Sequence, residues 1–136
     1  MKLGFRASWG LVVCFLIASI PLLAHHSASN YDLSKPVVLK GARVTKWLWM
    51  NPHSVVMVDV TDDKGNVQHW AAEVSSPSTL QLKGWSQASM HPGDVITVYL
   101  YQSKSGRLVG RLNRIVLADG TELHDGQQGG RNVYDK

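Results

Sequence analysis

The stretch Ser76-Pro77-Ser78-Thr79-Leu80-Gln81-Leu82-Lys83-Gly84 interrupts a chain whose apolar residues otherwise follow the period of strands. Ser76 supplies an N-cap, Pro77 suits a first helical position because a helix start leaves that N–H unbonded anyway, and Gly84 offers a stop. One short helix is predicted here. Working back toward the N-terminus, Val67 to Val74 reads as a third strand, returning from a hairpin loop at Asp62-Asp63-Lys64-Gly65-Asn66. Ser54 to Thr61 is the second strand, with Val56, Val58 and Val60 on one face, and Asn51-Pro52 turns the chain into it. Val37 to Met50 is a long first strand, and Gly41 in its middle predicts a bulge or bend. Toward the C-terminus, Pro92-Gly93-Asp94 is a turn, while Val95 to Gln102 and Arg107 to Ala118 are strands joined by Ser103-Lys104-Ser105-Gly106. Asp119-Gly120 leads into a short last strand, Thr121 to Leu123.

Three strands, a helix and two strands is the order of an OB-type arrangement. The expected fold is all-β with one short helix, a small five- to six-stranded OB-like barrel over residues 36–124. Another small antiparallel barrel or sandwich is the alternative, because counting strands leaves topology open. Alternation sends Val56, Val58, Val60, Ile96, Val98 and Leu100 into one core, which Trp70 and Trp85 join.

Outside that domain the chain changes character. Lys2 and Arg6 precede an apolar run from Leu11 to Leu23, broken by Pro21 and followed by Ala24, so residues 1–24 read as an export signal cleaved after Ala24. A spanning helix needs about 20 apolar residues. Retention as a membrane anchor is the alternative, since Leu22 is larger than a cleavage site prefers. Cys14, the only cysteine, lies in this segment with Val12 and Val13 ahead of it, which argues against a lipid anchor. The remainder has no cysteine for a disulfide or a thiolate metal site. It would carry twelve basic and ten acidic residues, with no Lys/Arg cluster, and this disfavours a nucleic-acid partner. Residues 25–35 are polar and read as an exposed arm, and residues 125–136 as a glycine-rich, disordered tail.

The chain resembles a family of small exported bacterial proteins classed as a domain of unknown function. The resemblance rests on His25-His26-Ser27, Lys35-Pro36-Val37, Leu39 and Gly41, and Trp49-Met50-Asn51-Pro52-His53. It continues through Trp70 with Glu73, Ser76-Pro77, Leu80, Gly84-Trp85, Pro92-Gly93-Asp94 and Leu117-Ala118-Asp119-Gly120. It implies a periplasmic β-barrel protein and brings no activity.

Cleavage after Ala24 would leave His25 as a free N-terminal residue, whose amine and imidazole together chelate Cu(II). Two geometries compete for that amine. In a brace, the amine and ring Nδ1 of His25 are joined by a third nitrogen from an imidazole of the folded domain, for which His53 at the Asn-Pro turn is the candidate. In a local chelate, the amine, the intervening amide nitrogen and the His26 imidazole suffice without a folded domain. The plainer alternative leaves His25 and His26 as polar residues of an arm and lets His53 cap its turn. His69 is expected to face solvent, and its spacing of about 13 Å along the strand from Glu73 rules out a joint ligand pair. His91 and His124 have no visible partner in the sequence.

A second set of candidates is aromatic. Trp47 and Trp49 share one face of the first strand with Arg43 and Thr45, and Tyr99 and Tyr101 share one face of the fourth, a surface on which a small organic or oligomeric ligand could stack. No G-x-S-x-G elbow, H-E-x-x-H pair, phosphate loop or catalytic thiol occurs beyond residue 24, which confines enzymatic readings to copper-dependent oxidation. The sequence therefore points to an exported binding module, periplasmic or secreted, with copper as its specific ligand and membrane contact only through the transient signal. The alternatives are a small-ligand binder on the aromatic face and a structural or partner-binding module.

Overall fold

A computed structural model describes residues 30–126 of the 136. Six strands and one short helix make up that part of the chain: β1 (Tyr31–Leu48), β2 (Val55–Thr61), β3 (Val67–Glu73), α1 (Pro77–Gln81), β4 (Val95–Ser103), β5 (Val109–Val116) and β6 (Glu122–His124). A 3₁₀ turn at Gln87–Ser89 lies between α1 and β4. The sheet runs β3-β2-β1-β4-β5-β6, and a parallel pairing of β3 with β5 closes five of the strands into a ring. The expectation of an all-β chain with one short helix holds.

The helix forms for the reasons its sequence carries. The Ser76 hydroxyl accepts from the Thr79 N–H, Pro77 opens the first turn, and Gly84, at φ +84°, receives the chain after Leu82. The helix buries only Leu80, but the loop behind it adds Trp85 and Met90, and these three fill the space inside the ring next to Val56, Val58, Val98, Leu100 and Ile115. Of the six positions expected to share the core, Val56, Val58, Ile96, Val98 and Leu100 are buried, whereas Val60 lies near the hairpin end and is only partly covered.

β1 is the strand that holds the ring together, pairing with β4 along its first part and with β2 along its last. Two irregularities let one strand serve both. The first lies between Leu39 and Ala42, where Gly41 adopts φ +63°, so residues three apart both face inward. This is the bulge that the glycine predicts. The second lies between Val44 and Lys46 and has no glycine to announce it. Two boundaries also differ from expectation. β1 begins at Tyr31, so residues 31–35 belong to the sheet rather than to a free arm, and Tyr31 pairs with Ser103. Asp125, placed in the disordered tail by its composition, is buried, because its carboxylate meets cationic partners inside the fold. Residues 127–136 lie outside the described residues, as do residues 1–29 with the predicted signal, His25 and His26.

Candidate functional site

The hairpin between β2 and β3 fixes what stands beside His53. Thr61 pairs with Val67 across the loop, and counting outward brings Val55 opposite Glu73, two residues beyond His53. The Asn51-Pro52 peptide bond, which is cis, leads into that segment. Oε1 of Glu73 lies 3.3 Å from Nδ1 of His53, within ion-pair distance but without the geometry of a hydrogen bond, with the carboxylate largely buried and the imidazole about one-third exposed. The other carboxylate oxygen accepts the Tyr31 hydroxyl at 3.0 Å. A three-residue chain, Tyr31–Glu73–His53, thus joins the start of β1, the end of β3 and the approach to β2. Sequence reasoning had Glu73 as a residue of the family resemblance and a strand-mate of His69, and Tyr31 as part of a polar arm.

Burial pushes the Tyr31 phenol up from 10.0 to about 12, helped by its bond to Glu73 and the carboxylate's charge, with the Arg111 guanidinium opposing. Since the folded state holds this proton more tightly, the contribution to stability is complete below pH 10 and is lost as pH rises toward 12. The expected result is a stability decline above pH 10 that is shallower in Tyr31→Phe than in the parent, read by urea denaturation across that range. Parallel curves for the two proteins would mean that the phenol is not held as described.

Arg111 links this chain to a second polar group. It is the registered neighbour of Glu73 across the β3–β5 seam, and its Nη2 donates to Ser75 Oγ at 2.9 Å and to Asp125 Oδ2 at 2.8 Å. The same Asp125 oxygen accepts from the Ser75 N–H at 2.9 Å. Lys83 Nζ stands 3.3 Å from Asp125 Oδ1 and also donates to the Asp125 carbonyl. Ser54, beside His53, is fully buried, and its hydroxyl has no hydrogen-bond partner among the described residues.

The aromatic candidates divide between two faces. Because the second bulge shifts the register, Trp47 comes opposite the buried Val56 and turns toward the core, away from Arg43 and Thr45. Its ring centroid lies 5.5 Å from that of Trp49 and 6.0 Å from that of Trp85, and its Nε1 donates to Ser86 O at 3.4 Å. Tyr99 alternates with the buried Val98 and Leu100 and so points outward, where the Arg114 guanidinium sits 4.1 Å from its ring centroid. Tyr101 has Pro36 and Arg111 as its registered neighbours. The Trp47–Trp49 pair and the Tyr99–Tyr101 pair are therefore not brought onto one surface.

The other described histidines each have an acidic neighbour. His69 Nδ1 is 2.6 Å from Asp59 Oδ1 with its side chain mostly exposed, as expected of a solvent-facing residue. His124 Nε2 is 2.9 Å from Glu122, which also lies 3.8 Å from Arg114, and His91 is 3.9 Å from Asp94. Among the described residues, no three His, Asp or Glu side chains converge as a metal site. A site at His53 would need ligands from outside them, and His25 and His26 lie in that part of the chain.

Compared with known proteins, the chain matches a family of unknown function over residues 12–112, most of its length. No curated protein and no solved structure matches it.

Proposed function

The chain belongs to the family of unknown function DUF6152, and from its residues we propose that it is an exported module that binds Cu(II) at a mature N-terminal His25, with His53 supplying an imidazole from the folded domain. The observation that supports this reading is the Tyr31–Glu73–His53 chain, which fixes the start of β1 close to His53. Tyr31 lies six positions after His25, and an extended segment of six steps reaches about 20 Å. A carboxylate beside one nitrogen of a histidine is also the usual outer support of a metal-bound imidazole, and Glu73 stands within ion-pair distance of Nδ1 without yet closing a hydrogen bond. Here Glu73 stands at Nδ1, so Nε2 would be the nitrogen for the metal. The amine and ring of His25 complete three nitrogens in a set suited to Cu(II).

The test begins with the intact mass of the exported protein, which should correspond to a chain starting at His25. Cu(II) titration then compares this protein with His53→Ala and with a form carrying one extra alanine before His25. His53→Ala should bind at least about tenfold more weakly, since it removes a nitrogen that a brace requires, whereas the extra alanine should abolish the brace but place His26 third in the chain, where a four-nitrogen Cu(II) site can still form. If His53→Ala binds as tightly as the parent, the metal sits instead in a local chelate through His26. If a variant lacking both His25 and His26 still binds equally well, the copper reading is wrong.

A further inference from the structure

A second site stands on the opposite end of the β2–β3 hairpin from Glu73, and none of its residues serves the copper reading. Asp59 and His69 are registered partners on the outer face of the two strands, with Asp59 Oδ1 and His69 Nδ1 2.6 Å apart. In the neutral ring, the Nδ1–H donates to this carboxylate and Nε2 is left as the acceptor. Alongside them runs a groove of about 390 Å³. Its walls include Met57 and Ala71, the next registered pair on that face, Thr45 from β1, and Leu108 and Val109 from the segment entering β5. The Ala71 N–H donates to Leu108 O at 3.1 Å, so the entering segment is held over the strands by backbone and does not depend on its side chains for position.

The volume falls within the range of small-molecule sites, about 300 to 1,000 Å³. The walls are apolar apart from the Thr45 hydroxyl, the Asp59 carboxylate and the histidine, and Met57 supplies a flexible, polarisable surface that adapts to a ring. The geometry points to a binding site for a small apolar molecule, about the size of a substituted phenol, that carries one hydroxyl or N–H donor. The apolar body lies against Met57, Ala71 and Leu108, and the donor goes to His69 Nε2, whose tautomer Asp59 sets. Asp59 and His69 are here positioning and binding residues, and no reaction is implied.

Nuclear magnetic resonance titration with p-cresol and toluene tests this directly, because the two probes differ in the hydroxyl alone. Both should shift the methyl signals of Met57 and Ala71, and p-cresol should also shift the His69 ring protons and bind about fivefold more tightly, the size of one partly exposed hydrogen bond. His69→Ala should bring p-cresol down to the affinity of toluene and leave toluene unchanged. His69 is 78% exposed at its side chain, so this variant keeps its fold, which unchanged signals elsewhere would verify. The proposal is overturned if the two probes bind equally, if p-cresol retains its advantage in His69→Ala, or if the shifts fall outside the groove. The outcome is independent of copper, since His25, His26 and His53 play no part.

Discussion

Trp85→Ala is expected to cost about 4 kcal/mol of folding stability, at the upper end for a core truncation, and to leave a molecule that unfolds at far lower urea concentration. Trp85 is 2% exposed and belongs to the loop segment that fills the ring, so no strand can shift to close the space it leaves. Two further losses accompany the cavity. The indole Nε1–H donates to the carbonyl of His124 at 3.0 Å, which ties β6 to the loop, and the ring supports Trp47 at 6.0 Å. Trp85→Phe keeps most of the volume and separates these effects, with an expected cost of about 1 to 2 kcal/mol from the lost hydrogen bond and the smaller ring. Equal stabilities for Trp85→Ala and the parent would show that the loop does not fill the ring.

Asp125→Ala is expected to destabilise by about 3 kcal/mol, an effect out of scale for a residue next to the chain's tail, because it leaves cations without their buried counter-charge. The carboxylate has no exposed surface and is met by Arg111 and Lys83. These two cations are themselves 29% and 35% exposed, so water recovers part of their solvation and holds the cost below that of a fully buried orphan charge. The Ser75 N–H loses its acceptor as well. Urea denaturation at neutral pH measures the change, and a chain ending at His124 should fall by a similar amount. A loss below about 1 kcal/mol, ordinary for a surface position, would mean that the carboxylate does not hold the end of β5 to the helix-bearing loop.

The strands themselves were legible because alternation is a local property: Val56 and Val58, and Val98 and Leu100, declare their face within a few residues. The cap at Ser76 and the bulge at Gly41 were legible for the same reason, each being a residue whose chemistry suits one backbone state. The Val44–Lys46 bulge was not. Nothing in Lys46 or Thr45 signals an extra residue, yet the shift moves Trp47 from the face of Arg43 to the face of Val56. The polar groups around Glu73 and Asp125 escaped for a different reason, since their partners lie 14 to 50 residues away and are adjacent only through strand pairing. For Glu73 the information was present in the hairpin, whose loop fixes the register that carries Val55 to it. For Asp125, a lone acidic residue followed by glycines reads as solvent-exposed until Arg111 and Lys83 are known to converge on it.

The ring is closed by a seam of three parallel pairs, Ala71 with Val109, Ala72 with Gly110 and Glu73 with Arg111. Gly110 in this seam is crowded from the β4 side, where a Cβ would stand 2.5 Å from Leu100 Cδ1 and 2.9 Å from Tyr101 O. Were the seam to part, the same strands would form an open sheet with β3 bare at one edge and the first half of β5 uncovered near the other. Those two edges are complementary, and the β3 of one molecule can meet the β5 of the next in the register each now uses internally. Such a contact is head-to-tail, and repeated it makes a ring of molecules or an open chain. Closure onto itself consumes the edge that would otherwise recruit a neighbour in that register.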